Sequence, residues 1–223
     1  MILVSQSGAA YQPLDKLEIA TDGGAPEVTA VTTLSEDVYH HAVVRPGGSD
    51  FAAVHIDGQG VSHLVLGDMV SGDTIVLYQV GAEQQLWQPA WNVDGSELAF
   101  FEGERDPPRF VYVRIMDIMA PPGDPGRLQT ALSFIWESWS PQNLSWARTA
   151  NELILDLETL LYRIDLDAAT PSLGEPIRDG RMAAWSSDDS KIVFQDDGRI
   201  WIGESSGGSA TKLARGSRPD WMR

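Results

Sequence analysis

One pattern recurs along the chain and strongly limits the folds that the chain can adopt. It consists of two small or apolar residues, an anchor residue, a polar turn and an apolar run. The copies are PAWNVDGSELAFF (89–101), LSWARTANELILD (144–156), AAWSSDDSKIVFQ (183–195) and a degenerate AVVRPGGSDFAAV (42–54). Their anchors, Val44, Trp91, Trp146 and Trp185, are separated by 47, 55 and 39 residues. A period of about 40–50 residues is typical of four-stranded propeller blades.

Each copy is followed by a second half that resembles the second half of the others. IWIGESSGG (200–208) follows the copy at Trp185, and LYRIDLDAATPSLG (161–174) follows the copy at Trp146. Each unit therefore contains four short strands separated by turns and Gly- or Pro-rich loops, which predicts an all-β fold. Residues 151–168 contain many helix formers, but the repeat register predicts two strands there, joined near Glu158-Thr159.

The two ends of the chain carry complementary parts of one repeat. The C-terminal SRPDWMR begins a further copy, with Trp221 placed 36 residues after Trp185. The N-terminal MILVSQSG matches the second strand of a copy that lacks its first strand. We therefore predict a single domain, a five-bladed β-propeller of four-stranded antiparallel blades. Its ring is closed by the C-terminal strand, which completes the N-terminal blade and leaves no free sheet edge. The predicted blades are 217–223 with 1–36, 37–83, 84–132, 133–178 and 179–216.

The repeat resembles the TolB-type, WD-repeat-like propeller repeat, whose consensus is roughly Pro-x-Trp-Ser-Pro-Asp-Gly followed by an apolar strand. PAWNVDGSELAFF and AAWSSDDSKIVFQ match it well, and LSWARTANELILD matches less well. Proteins with such repeats include periplasmic assembly factors and the propeller domains of oligopeptidases. The resemblance implies a binding or gating role and favours a periplasmic or extracellular location. The family often has six or more blades, so a count of five departs from it.

Composition narrows the expected partners. Acidic residues outnumber basic ones by 32 to 16, and the net charge of −16 repels phosphate backbones, so we expect no nucleic acid partner. The absence of Cys excludes disulfides, thiolate metal sites and Cys nucleophiles. No apolar run approaches the ~20 residues that span a bilayer, and the N-terminus lacks the pattern of a signal peptide. We expect a monomer that binds a protein or peptide, with a glycan as the alternative ligand.

The anchors and the histidines have structural interpretations. Each anchor indole can bury roughly 200 Å² between neighbouring blades, so we interpret the four tryptophans as structural anchors. They are Trp91, Trp146, Trp185 and Trp221. His40 and His41 are adjacent on a predicted strand, where neighbouring side chains point to opposite faces. His55 and His63 lie on separate strands, and we predict neither a metal site nor a cofactor.

Propellers commonly bind through the loops that enter each innermost strand and those that join the second strand to the third, an expectation that rests on fold analogy. Positions three or four residues before the anchors predict a polar mouth, and two Trp residues outside the repeat register add aromatic candidates. The candidate ligand-binding residues are His41, Gln88, Asn143, Arg181, Arg218, Trp136 and Trp139. The second loop set predicts a mostly acidic rim that includes Asp57, Glu102 and Asp197.

A catalytic alternative comes from a different class of protein, the five-bladed propeller hydrolases that act on glycosides. Such an enzyme needs two or three carboxylates that converge on the channel. The innermost predicted strands supply only Asp220, and no G-x-S-x-G or phosphate-binding loop is present. We therefore predict no catalytic residues and favour a non-catalytic binding propeller. The hydrolase and a propeller module of a larger multidomain protein remain the alternatives.

Overall fold

The fold consists of β-strands throughout the part of the chain that the computed structural model describes. The described residues are 2–4, 14–20, 27–35, 39–106, 109–136, 143–216 and 219. Within these ranges no helix is formed, and hence none is long and apolar enough to cross a membrane. The predicted all-β class is confirmed.

The strands form five antiparallel sheets, in each of which the spatial order of the strands follows the chain. The first sheet has three strands, β1 (Ile2–Val4), β2 (Leu14–Ala20) and β3 (Glu27–Ser35). The second has β4 (Tyr39–Val44), β5 (Asp50–Ile56), β6 (Ser62–Asp68) and β7 (Thr74–Gln79). The third has β8 (Gln84–Trp91), β9 (Glu97–Glu104), β10 (Arg109–Asp117) and β11 (Leu128–Trp136).

The fourth and fifth sheets complete the described part of the fold. The fourth has β12 (Leu144–Trp146), β13 (Glu152–Leu157), β14 (Leu160–Asp165) and β15 (Arg178–Asp179). The fifth has β16 (Arg181–Trp185), β17 (Lys191–Asp196), β18 (Arg199–Glu204) and β19 (Ala210–Arg215). The prediction of two strands within 151–168 is confirmed, because β13 and β14 pair directly across a turn at Glu158 and Thr159.

The anchor residues share one structural position. Val44, Trp91, Trp146 and Trp185 are the last residues of β4, β8, β12 and β16, the first strands of their sheets. The three tryptophans are 4%, 8% and 3% exposed, respectively, which is the burial that a packing role requires. Trp221 and the strand predicted at 217–223 lie outside the described residues, apart from Pro219. The blade boundaries and the closure of the ring stay predictions.

The chain divides into two compact units. The first unit comprises Met1–Pro89 and Glu102–Arg105, and the second comprises Ala90–Phe101 and Asp106–Arg223. In the first unit, a cluster of buried residues forms on the second sheet: Tyr39, Phe51, Ala53, Val65 and Met69. In the second unit, one cluster joins the fourth sheet to the fifth: Ala147, Ile154, Leu161, Ala183, Trp185, Ile192 and Phe194. Each unit therefore contains its own apolar core.

Polar contacts add to the packing between the fourth and fifth sheets. The indole of Trp185 donates a hydrogen bond to the carbonyl of Ser145 at 3.2 Å. The carboxylate of Asp189 accepts hydrogen bonds from the backbone N–H groups of Arg148, Thr149 and Ala150, at 2.5–3.2 Å. Because an ionised acceptor makes stronger hydrogen bonds than a neutral one, Asp189 ties the hairpin of one sheet to that of the next.

Candidate functional site

In three of the sheets, the end at which the first strand begins carries an unusual backbone conformation. The residue three positions before the anchor has a positive φ in three sheets, at His41 (55°), Gln88 (51°) and Met182 (52°). Strand register also shifts between His40 and Val43 and between Arg181 and Ala184, which marks a β-bulge at the same repeat position. We call these strand beginnings the entry ends of the sheets. Bulges turn side chains away from the regular alternation of a strand and are enriched next to functional sites.

The histidines of the second sheet show the effect of this bulge. The rings of His40 and His41 lie 6.2 Å apart, so the expectation that they point to opposite faces was wrong. That expectation assumed an extended strand, and the left-handed conformation of His41 breaks the alternation. Partial burial, followed by the proximity of His55, lowers the pKa of His40. Both His40 and His41 nevertheless keep part of their surface accessible to solvent at the entry end.

The remaining two histidines belong to a separate stack. The rings of His55 and His63 are 5.8 Å apart and nearly parallel, and Tyr39 lies 5.4 Å from His55. His63 Nε2 is 3.1 Å from Oδ2 of Asp57, and this hydrogen bond, followed by one from the backbone of Val61, lowers the pKa of Asp57. Over the residues that the structure describes, no group of three or more His, Asp or Glu side chains is arranged to hold a metal ion.

A buried carboxylate organises the entry ends of the fourth and fifth sheets. Asp156 is 1% exposed, and its two oxygens accept hydrogen bonds from the backbone N–H groups of Asn143 and Met182, both at 2.9 Å. The side-chain amide of Asn143 donates to the carbonyl of Ala183 at 2.7 Å. Asn143 and Met182, from two different sheets, are thus held by one side chain. The side-chain amide of Asn143 is therefore used in the contact between the fourth and fifth sheets.

The repeat pattern does not single out Asp156, because this residue lies in an apolar run that predicts a strand. A signal was present: it is the one carboxylate within the otherwise apolar segment LILDL (153–157). Burying a carboxylate is costly unless hydrogen bonds compensate for the lost hydration, so such a residue marks a polar connection.

The other candidate residues have different surroundings. Arg181 is exposed at the start of β16, and Gln88 is half-buried in β8. Trp136 is the last residue of β11, where its backbone pairs with Arg109. Trp139 and Arg218 lie outside the described residues.

The position of Glu102 differs from the prediction that it belongs to an exposed acidic rim. It lies within β9 instead of on a loop, is 3% exposed, and accepts a hydrogen bond from the hydroxyl of Tyr78 at 3.0 Å. A carboxylate with such a partner can remain inside the fold, so Glu102 cannot contribute to an exposed rim.

Comparisons with known proteins support the class of fold. No protein-family model matches the chain, and no curated protein matches it. Solved structures do match it, and together with the blade-like antiparallel sheets they establish a β-propeller. All the matches described below are under 25% identical and therefore show the fold alone.

TolB propellers are among these matches. TolB from Acinetobacter baumannii has a TM-score of 0.63 and 15% identity over 91% of this chain and 49% of its own. A TolB-type protein from Agrobacterium tumefaciens has a TM-score of 0.62 and 16% identity over 93% of this chain and 78% of its own. An oligogalacturonate lyase in complex with manganese has a TM-score of 0.59 and 14% identity over 95% of this chain and 72% of its own. The resemblance to the TolB-type propeller is confirmed at the level of fold, although the chain spans about half the length of the first TolB.

Proposed function

We propose that the chain is a non-catalytic binding propeller that recognises a protein or peptide segment at the entry ends of its sheets. The observation that carries this proposal is the recurrence of a left-handed backbone conformation at His41, Gln88 and Met182. Such a conformation in a residue other than glycine costs of order 1–3 kcal/mol and is concentrated at functional sites. In this chain it occurs at the exposed His41 in the first unit and directly after the exposed Arg181 in the second.

The chemistry of the entry ends suits a peptide better than a catalytic reaction. Imidazole, amide and guanidinium groups supply both donors and acceptors for the backbone and side chains of a bound segment. The buried carboxylate in the second unit, Asp156, has both oxygens engaged by backbone N–H groups. Asp156 is therefore engaged in a structural contact between two strand beginnings.

A direct test uses selection from a library of random peptides displayed on phage, followed by affinity measurements on the selected peptides. We expect His41→Ala and Arg181→Ala each to weaken a selected peptide roughly ten-fold, the usual loss at an energetically important contact. Lys212→Ala, which removes an exposed cation from β19, is the matched control and should bind like the wild type. Wild-type affinity in both entry-end variants, with their thermal unfolding unchanged, would exclude this end as the binding surface.

A second candidate function follows from the likeness to the oligogalacturonate lyase. A polyuronate carries a negative charge on every unit, and a protein with a net charge of −16 repels it, so we favour the peptide. Incubation with polygalacturonate, followed by ultraviolet detection of unsaturated products, tests the lyase. A screen of glycosides and esters tests the hydrolase. Turnover that is lost in Asp220→Asn would overturn the non-catalytic proposal.

We also propose that the sheets form a five-bladed ring closed by pairing of residues 217–223 with β1. Support comes from strand number, since the first sheet has three described strands whereas each of the others has four. Because the chain has no Cys, a pair such as Leu3→Cys with Met222→Cys introduces the only two thiols. Mild oxidation should join them in the folded protein, whereas Leu3→Cys with Leu213→Cys should stay reduced. Equal reactivity of the two pairs would contradict the proposed closure.

A further inference from the structure

A cleft opens in the second unit at the end of the strands opposite to the entry ends. Its volume is about 280 Å³. Its lining includes the polar residues Glu97, Gln129, Thr130 and Asn151, and Ile115 and Trp146 are among its apolar residues. Pockets for drug-sized ligands measure roughly 300–1,000 Å³, so this cleft suits a single side chain or a molecule of that size.

Glu97 is the carboxylate in this lining, and it has no cationic partner among the described residues. Its side chain accepts a hydrogen bond from the amide of Asn92 at 3.3 Å. Two other glutamates of the unit are paired, Glu152 with Arg163 at 2.5 Å and Glu204 with Lys191 at 3.2 Å. Unlike these two, Glu97 has no ion pair with a described basic residue.

The electrostatic surroundings of Glu97 are unfavourable for its charged form. Burial raises its pKa, and the negative charges of Asp117 and Asp94 raise it further, while the hydrogen bond from Asn92 offsets part of the effect. A cation that entered the cleft would relieve this repulsion. The surroundings of this carboxylate within the described residues would therefore favour a bound cation.

The remaining lining residues suit the uncharged parts of a ligand that carries a cation. The amide of Asn151 donates to Asp167 at 2.8 Å, which directs its nitrogen to that carboxylate and leaves its oxygen as an acceptor. Trp146 and Ile115 contribute apolar lining for methylene groups. The hydroxyl of Thr130, another lining residue, accepts a hydrogen bond from the guanidinium of Arg114. That guanidinium also lies over the ring of Tyr112, 4.7 Å from its centroid.

We propose that this cleft binds an alkylammonium group, such as the side chain of a lysine on a partner segment, with the ammonium at Glu97 and the methylenes against Trp146 and Ile115. The cleft has room for a single side chain, and its carboxylate has no cationic partner among the described residues. Both features favour this ligand over a sugar, whose hydroxyls carry no charge. The cleft is separate from the entry ends, so this binding and the proposed peptide recognition stand or fall independently.

The test is a titration followed by proton–nitrogen correlation spectra of the labelled protein. The probe is the peptide acetyl-Gly-Lys-Gly-amide, and the same peptide with norleucine in place of lysine is its uncharged counterpart. We expect saturable shifts of the backbone amides of Gln129, Thr130 and Asn151 with the lysine peptide and none with norleucine. Butylammonium distinguishes a lysine side chain on a partner from a free alkylamine. If it binds more weakly than the lysine peptide, the ligand is a lysine of a partner, and if it binds equally well, the ligand is a free amine of the same chemistry.

Two variants connect the shifts to the carboxylate. Glu97→Gln removes the charge while keeping an oxygen for the bond from Asn92, and it should lower the affinity for the lysine peptide at least five-fold. Glu175→Gln, an exposed glutamate of the same unit outside the lining, is the matched control and should retain the wild-type affinity. Methyl glucoside, titrated in the same way, is the uncharged sugar probe. The proposal is overturned if no shift saturates with the lysine peptide, or if the norleucine peptide binds equally well. It is also overturned if methyl glucoside binds in place of the lysine peptide, or if Glu97→Gln binds that peptide like the wild type.

Discussion

The carboxylate of Asp156 offers a quantitative test of how the fourth and fifth sheets are held together. In Asp156→Ala, the N–H groups of Asn143 and Met182 lose a charged acceptor that now lies 2.9 Å from each. Hydrogen bonds to charged groups contribute about 1.5–3 kcal/mol each. Asn143 and Met182 are only half-buried, so water can replace part of what is lost. We therefore expect a decrease of about 3–5 kcal/mol in the free energy of unfolding of the second unit.

The assay is thermal unfolding at neutral pH, monitored by calorimetry. For a chain of this length each kcal/mol lowers Tm by about 2–4 °C, so Asp156→Ala should lower it by roughly 6–20 °C. Asp156→Asn keeps one acceptor oxygen but places an amide N–H₂ against the second donor, and it should fall between the wild type and Asp156→Ala. Asp179→Ala, which removes an exposed carboxylate from β15, is the control. If Asp156→Ala unfolds within about 1 kcal/mol of this control, a margin below the contribution of one such hydrogen bond, the carboxylate does not join the sheets as argued.

Two further predictions concern a turn and a close contact. Hydrogen bonds from the hydroxyl of Ser186, and then from a second serine, lower the pKa of Asp188 to about 2. Its stabilising effect is therefore complete above the ordinary value near 3.8 and is lost as the pH falls towards 2, so the Tm difference between the wild type and Asp188→Asn should shrink over that interval. Gly67→Ala would place a methyl group against the ring of Phe51, which is fully buried, and should cost about 1–3 kcal/mol in chemical denaturation. A Cβ atom added at Gly58 would have no other atom within 4 Å, so Gly58→Ala is the control. Equal stability of Gly67→Ala and Gly58→Ala would contradict the close contact between Gly67 and Phe51.

Local chemistry determined the parts of the fold that the sequence predicted correctly. Alternating apolar residues and turn formers act over a few positions, so strands and hairpins could be identified without knowledge of their neighbours. The segment 151–168 shows this, because its repeat register outweighed its helix formers, and the structure forms β13 and β14 there. The anchor positions were also readable, since each of the described ones ends the first strand of its sheet.

Tertiary structure decided the surroundings of the polar residues. Glu102 was expected on an exposed rim, yet Tyr78, which is 24 positions away in the chain, gives it a partner inside the fold. The repeat position of Asn143 predicts a ligand-binding residue, but its side-chain amide donates to the carbonyl of Ala183, 40 positions away. Glu97 lies in a cleft beside Asp117, a surrounding that depends on residues from several strands among those the structure describes. A strand depends on residues next to one another in sequence, whereas the hydrogen bonding and charge of a side chain depend on residues that only the folded chain brings close.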